Sequence, residues 1–284
     1  MDIKSFWPEA APSIDEASTY IKKYKNKEII LKYGGQVMSD QNLSKAFAQD
    51  AAILRKLEIN VGVIHGGGPQ IKRQLDEKKI ESKFIDGLRV TDKQTIDLVE
   101  DVLCNKINPD LRNSIIKFGS TAESLTPKNH SVINVDGPIN KDLGYVANPK
   151  KINISIIKTL FKKKIIPVIS PIGKDTTGQS YNINADTAAG FIASEIKAER
   201  LLLMTDVPGV NDKSGKLISE LSIPKALQLI DNGTITGGMI PKIKTCIHAI
   251  ESGVNGVVII DGRKAHAVLF ELFSNIGAGT LIIK

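Results

Sequence analysis

Apolar and polar residues change period along this chain in a regular way. Short unbroken apolar runs alternate with segments whose apolar residues fall three and four apart. "EIILKY" (28–33), "VGVIH" (61–65), "IIPVIS" (165–170), "RLLLMT" (200–205) and "GVVII" (256–260) are runs of the first kind. Their length and β-branched content predict buried strands. The closing "GTLIIK" predicts a strand that closes the sheet. Between them lie helix-period segments: residues 40–57, with Leu43, Phe47, Leu54 and Leu57 on one stripe, then "GPQIKRQLDEKK", "NADTAAGFIASEI" and "GGMIPKIKTCIHAIES". This alternation predicts an α/β fold, a mostly parallel central sheet covered by helices on both faces. Residues 119–150 break the rhythm with Pro127, Pro138, Pro149, Gly137 and Gly144, and predict hairpins on the rim of the sheet. Ahead of the first strand, Ile14, Ala17, Tyr20, Ile21 and Tyr24 form a helical stripe with Ser13 at the cap position. This N-terminal helical extension has no strand of its own. It is either packed on its own subunit or offered to another.

Composition narrows the class. The 284 residues suffice for one large α/β domain or two lobes. No apolar run reaches the roughly 18 residues that span a bilayer, and the N-terminus lacks the apolar core of a secretory signal. Cys104 and Cys246 are the only cysteines, far apart, which argues against a zinc site or disulfide framework and for a reducing cytoplasm. The net charge of +7 reads either as a lysine-rich solvated surface or as the mark of an anionic ligand. Without interleaved aromatic and basic residues it does not suggest nucleic acid. The four histidines have no metal-ligand spacing, and His65 reads as a packed strand-end residue.

The chemistry is carried by glycines. "VIHGGGPQI" places three in a row between a strand and a helix. A dinucleotide fingerprint fails, because Gly66 and Gly68 are followed by Pro69, Gln70 and Ile71 where a third glycine belongs. An esterase oxyanion loop fails for want of a GxSxG elbow, and the Walker motif is absent. "KYGGQ" sets Lys32, Gly34 and Gly35 at the end of the first strand, and "TGGMIPK" sets Gly237, Gly238 and Lys242 at a helix start. In a parallel sheet the C-terminal strand ends share one edge. Three glycine turns and two lysines on that edge make a site for a polyanion. Asp186 and Asp206 add acid to it. Phosphoryl transfer to a carboxylate needs cations and aligned N–H groups and no base, since the acceptor is already ionised.

The ordered set "KYGG", "VIHGGGPQI", "DGLRVTD", "NINAD", "LLLMTDVPGV", "TGGMIPK" and "GAGTLI" resembles the amino acid kinase family over nearly the whole chain. "GLRVT" favours the branch that phosphorylates N-acetyl-L-glutamate. One departure is Gln36–Val37, where the family often carries Asn–Ala. The resemblance implies an oligomerisation helix at 1–27, an N-lobe at 28–178 for acetylglutamate and dimerisation, and a C-lobe at 179–284 for ATP, which brings Mg²⁺. It implies that Lys32 and Lys242 stabilise the moving phosphoryl from opposite sides with Asp186 between them. Gly35, Gly67 and Gly68 would offer amides to the phosphoryl and the acceptor, Arg89 would clamp the α-carboxylate, and Asn182 would hydrogen-bond the substrate. Gly34, Gly237 and Gly238 would meet the nucleotide. The two chain ends resemble the arginine-inhibited homohexamers of the family, with L-arginine held near Glu271 and Gly277. Two other readings stay open: a related carboxylate kinase acting on an aminoadipate derivative, and a non-catalytic regulatory protein of the same fold.

Overall fold

The structure, a computed structural model, describes residues 3–284 apart from the side chain of Gln36. Fourteen strands are described: β1 (Glu28–Tyr33), β2 (Asn60–His65), β3 (Phe84–Ile85), β4 (Leu88–Arg89), β5 (Ala122–Leu125), β6 (Ile133–Asn134), β7 (Lys151–Ile152), β8 (Ile166–Ile169), β9 (Ile172–Lys174), β10 (Ser180–Asn182), β11 (Arg200–Thr205), β12 (Glu220–Ser222), β13 (Val257–Asp261) and β14 (Gly279–Ile283). The α-helices are α1 (Ile14–Tyr24), α2 (Gln41–Lys56), α3 (Gly68–Glu77), α4 (Lys93–Glu100), α5 (Asn108–Lys117), α6 (Ile154–Lys162), α7 (Ala185–Ile196), α8 (Ile223–Asp231), α9 (Met239–Glu251) and α10 (Ala267–Phe273). A π-helical stretch, Asp101–Ile107, joins α4 to α5.

Eight strands form the central sheet in the order β12-β14-β13-β11-β1-β2-β8-β5. Every neighbouring pair is parallel except β13 with β14. Strands buried on both faces need apolar residues at every position, and alternate side chains then enter opposite layers. Ile30, Ile64, Leu201, Leu203 and Ile259 join one apolar cluster with α6, α7, α8 and α9. Their neighbours Leu31, Val63, Leu202, Met204 and Ile260 join the other with α1, α2, α5 and α10. Burying each such side chain contributes about 1.5–3 kcal/mol. No described helix is long and apolar enough to cross a membrane.

Two expectations need correction. Residues 119–150 do not form hairpins alone: β5 is an edge strand of the main sheet, parallel to β8. A strand pairing across more than forty residues leaves no local turn signal. Only β6 belongs to a rim sheet, in the order β10-β9-β6-β7. The chain end is also not the edge of the sheet, because β14 lies between β12 and β13.

The N-terminal helix packs on its own chain. Ser13 caps it, its Oγ accepting from the Glu16 N–H at 3.2 Å. Ala17 and Tyr24 are buried, and the rings of Tyr24 and Trp7 lie 6.4 and 5.8 Å from that of Phe273 on α10. Ala17 and Tyr24 of the stripe are thus covered within the subunit, while Ile14, Tyr20 and Ile21 stay partly exposed. α10 is held from below by Asp50 of α2, whose carboxylate lies 2.6 Å from His266 Nδ1 and accepts from the backbone of Val268 and Leu269. Burial pushes the Asp50 pKa up to about 6, against the pull of His266.

Candidate active site

The parallel register brings the ends of β1 and β2 to one edge, with Tyr33 opposite His65. Lys32 is the penultimate residue of β1, and its side chain folds back over the glycine turn that follows. A Cβ on Gly34 would lie 2.7 Å from Lys32 Nζ, so a larger residue would shift the ammonium from its present place. Gly34 thus seats Lys32. Asp186 enters from the first turn of α7, where a helix dipole favours a carboxylate. Asn184 caps that helix, its Oδ1 accepting from the N–H groups of Asp186 and Thr187 at 2.9 and 3.1 Å. Lys242 comes from the first turns of α9, where the dipole disfavours a cation, so it needs a counter-charge.

Asp186 supplies it to both lysines. Lys242 Nζ donates to Asp186 Oδ2 in a short charged hydrogen bond. Lys32 Nζ lies 3.0 Å from Oδ1. This second contact is an ion pair at hydrogen-bonding distance. The three side chains are only 10–15% exposed. Burial alone would raise the Asp186 pKa, but Lys32 and then Lys242 outweigh it and hold the carboxyl well below the usual range. For Lys32, burial dominates and lowers the pKa, while Asp186 opposes the shift and Lys242 adds to it. The cluster carries one net positive charge at the sheet edge.

Beside it is a cavity of about 210 Å³ lined by Lys32, Gly35, Gly67, Gly68, Arg89 and Asn182, among others. Gly35 has φ +80°, a left-handed backbone that favours glycine. A Cβ on Gly67 would come within 2.6 Å of Leu103 Cδ2 and 2.7 Å of Ile107 Cδ1, both from the π-helical stretch. Gly68 has open space where a Cβ would stand. Arg89 is buried at the end of β4 and donates to Ser82 Oγ and, at 3.3 Å, to the Gly68 carbonyl. The Phe84 ring lies 4.7 Å from its guanidinium. Asn182 Nδ2 donates to Thr91 Oγ1 at 3.3 Å.

Gly237 and Gly238 line a different cavity of about 560 Å³, together with Asp86, Gly87, Pro241 and Lys244. Gly87, in the turn between β3 and β4, borders both spaces. Glu271 and Gly277 line neither; they meet each other in one turn, where Glu271 Oε2 accepts from the Ala278 N–H at 2.7 Å. Burial raises the Glu271 pKa, and Tyr24 and Arg200 lie near enough to interact with it. Asp206 is exposed at the end of β11. Another cavity, of about 770 Å³, is lined by residues that precede the strands, such as Lys25, Glu58, Thr121 and Lys164, so it sits at the opposite edge from this chemistry.

Reading the sequence missed Ser82, Thr91 and Asn108, which support Arg89, Asn182 and His65. Ser82 lies only seven residues before Arg89 but outside the quoted motifs. Thr91 lies inside "DGLRVTD" but 91 residues from Asn182, and Asn108 lies 43 residues from His65 in a segment without motif. His65 is fully buried, as a packed strand-end residue should be.

Comparison with known proteins places the chain in a family. Residues 27–261 match the model of the amino acid kinase family. The acetylglutamate kinase of Rhodopseudomonas palustris (strain BisB18) is 46% identical over 294 residues, covering 98% of this chain and 99% of the relative. The fold also matches N-acetylglutamate synthase from Neisseria gonorrhoeae, in complex with coenzyme A and N-acetyl-glutamate, with a TM-score of 0.86 at 23% identity. A second complex of that synthase, with coenzyme A and L-arginine, gives 0.82 at 23%. The alignments cover 95% of this chain but only 62% and 64% of the synthase chains, and they bear on fold alone.

Proposed function

The chain belongs to the amino acid kinase family, and on that premise we propose that it transfers the γ-phosphoryl group of ATP to the γ-carboxylate of N-acetyl-L-glutamate, a step of arginine biosynthesis. The observation that carries this reading is the pair of lysines on one buried carboxylate, beside a glycine-lined cavity that also holds a buried arginine. The 46% identity across the whole length of an acetylglutamate kinase supports the acceptor.

The acceptor carboxylate is ionised at neutral pH, so the barrier is mutual repulsion of two anions and charge on the moving phosphoryl. Lys32 and Lys242 meet that charge, and Asp186 keeps their ammonium groups converged and Lys32 protonated. The amides of Gly35, Gly67 and Gly68 face the acceptor and the phosphoryl. Arg89 offers a planar fork to the α-carboxylate, and Asn182 offers its amide to the substrate. Residues 28–178 form the acceptor lobe and 179–284 the nucleotide lobe. The central sheet supports that division, since β5-β8-β2-β1 and β11-β13-β14-β12 meet at the β1–β11 pair, while β10 of the second stretch pairs with β9 of the first in the rim sheet. Gly237 and Gly238 at the start of α9 serve the nucleotide, and Gly34 serves it through the lysine it seats. The donors at the site are N–H and ammonium groups, suited to phosphate oxygens. Mg²⁺ therefore comes with the nucleotide, held by phosphates and water, and would neutralise phosphate charge.

ADP release measured with a panel of acceptors tests the reading. N-acetyl-L-glutamate should be turned over with the highest kcat/KM. A higher value for an acylated aminoadipate would move the enzyme to another carboxylate kinase, and no turnover of any acceptor would favour a regulatory protein.

The reading extends to a homohexamer inhibited by L-arginine. Its support is the resemblance of both chain ends, together with the position of α1 on α10 beside the Glu271–Gly277 turn. Arginine would favour a state that binds acetylglutamate poorly, so the coupling should be reciprocal. Deleting residues 1–26 should give active dimers with a weakened arginine response, measured by light scattering and arginine titration. A truncated protein that stays hexameric and fully inhibited would refute it.

A further inference from the structure

His65 is the one side chain of the "HGGG" turn, and it is fully buried behind the glycines that line the cavity. Its Nδ1 lies 2.9 Å from the carbonyl oxygen of Gly66, and its Nε2 lies 3.1 Å from Asn108 Nδ2. Asn108 decides which ring nitrogen carries the proton. Its Nδ2 also donates to the Val168 carbonyl at 2.9 Å. Turning the amide over would set Oδ1 against that carbonyl, so the NH₂ group must face both Val168 and His65. His65 Nε2 is then an acceptor, and the proton sits on Nδ1, where it can be donated to Gly66. Burial drives the His65 pKa down to about 4, with no charged neighbour contributing, so the ring is neutral at physiological pH.

The consequence follows from peptide geometry. In a planar trans peptide the C=O and the next N–H point in opposite directions. No cis peptide occurs among the described residues. A Gly66 carbonyl held back toward the buried ring therefore turns the Gly67 N–H away from it, toward the cavity that Gly67 lines. Two further contacts clamp the same turn. The Gly66 N–H donates to the Tyr33 carbonyl at 2.6 Å, tying the turn to the strand that carries Lys32. Leu103 and Ile107 close over the inner side of Gly67. Asn108 Oδ1 is buried and meets no hydrogen-bond donor among the described residues, which leaves the NH₂ group as the end of the amide that is engaged.

We propose that His65, fixed in its Nδ1–H form by Asn108, is a positioning residue for phosphoryl transfer: by gripping the Gly66 carbonyl it aims the Gly67 amide at the transferring group. This rests on the kinase reading above. A pre-aimed donor pays no reorganisation when charge develops, which raises kcat more than ground-state binding.

Two measurements on the full chain test it. Asparagine places its NH₂ group where Nδ1 stands, whereas glutamine carries its amide to the place of Nε2. His65→Gln should lose at least about tenfold in kcat with KM for acetylglutamate within about twofold, and His65→Asn should recover most of that loss. Equal kcat for the two folded variants would overturn the proposal. The second measurement needs neither a variant nor turnover. Side-chain ¹⁵N correlation spectra of the wild-type protein should show His65 protonated at Nδ1 and bare at Nε2, and the opposite tautomer would overturn it too. Wild-type turnover of acetylglutamate is read in the same kinetic assay, so failure of the kinase reading shows there and not in the tautomer.

Discussion

Replacing Asp186 by asparagine removes one negative charge and almost no volume, and leaves two ammonium groups facing each other. At an effective dielectric of about 20, unit charges about 3 Å apart attract by roughly 5 kcal/mol. The carboxylate makes two such contacts. Desolvation offsets much of that attraction, and removing one partner of a buried pair typically costs about 3–5 kcal/mol. The adjoining cavity admits water, so D186N should lie at the lower end, about 3 kcal/mol less stable. For 284 residues, at an unfolding entropy of about 2.1 cal/mol/K per residue, that is a fall of roughly 5 °C in Tm. Catalysis should suffer more: with the lysines splayed, kcat should fall on the order of 100- to 1,000-fold. Lys32 is already pulled toward its neutral form by burial, and Asp186 is what opposes this. The alkaline limb of the kcat–pH profile should therefore move to lower pH in D186N.

The acid side has a definite sign. The native pKa of Asp186 is depressed, so its stabilisation is fully present above the ordinary carboxylate range and is lost as pH falls through the native value. The Tm gap between wild type and D186N should be widest near neutrality and shrink once pH drops below the ordinary aspartate pKa. Thermal melts across the acid range and kcat profiles to alkaline pH provide both readings. An unchanged Tm near pH 7 together with an unchanged alkaline limb would show that this carboxylate does not hold the two lysines.

Lys32→Ala and Lys242→Ala should each lower kcat far more than they raise KM, because the lysines meet charge that appears only in transfer; wild-type kcat in either folded variant removes that lysine from the mechanism. Arg89→Lys should weaken acetylglutamate binding and leave ATP affinity nearly unchanged, since lysine keeps the charge but loses the fork. Isothermal titration with each ligand decides, and a loss confined to ATP would reverse the lobes. Gly67→Ala drives a methyl against Leu103 and Ile107, so it should cost about 1–3 kcal/mol by overpacking and lower kcat by moving the Gly67 amide. A fully active, equally stable variant would contradict the geometry.

Strands β1, β2, β8, β11, β13 and β14 and helices α1, α2, α3, α7 and α9 were legible because their signal is local, whereas β12, α8 and α10 were not. An apolar run such as "RLLLMT" must be buried on both faces, and it stands apart from the longer-period segments around it. β5 was not legible for the opposite reason. "AESL" has a single buried residue and gains its place by pairing with β8, far along the chain. The segment 93–117 was also silent. Its apolar residues drift off a 3.6 period across Asp101–Ile107, where the helix widens to a π turn.

The same distinction runs through the site. Lys32, Gly34 and Gly35 announce themselves, because a lysine and two glycines at a strand end have few other uses. Gly67 announces itself as a glycine, yet the reason it must be one lies forty residues away in Leu103 and Ile107. His65 looked like packing, and by burial it is packing. Burial and position are not alternatives here, because a donor inside the protein can turn a peptide whose other side faces the cavity. What separates the two roles is the hydrogen-bond chain Val168–Asn108–His65–Gly66, which runs from one strand through a helix start to another strand end. A chain of that kind has no sequence period, and it becomes visible only when the sheet has brought its members together.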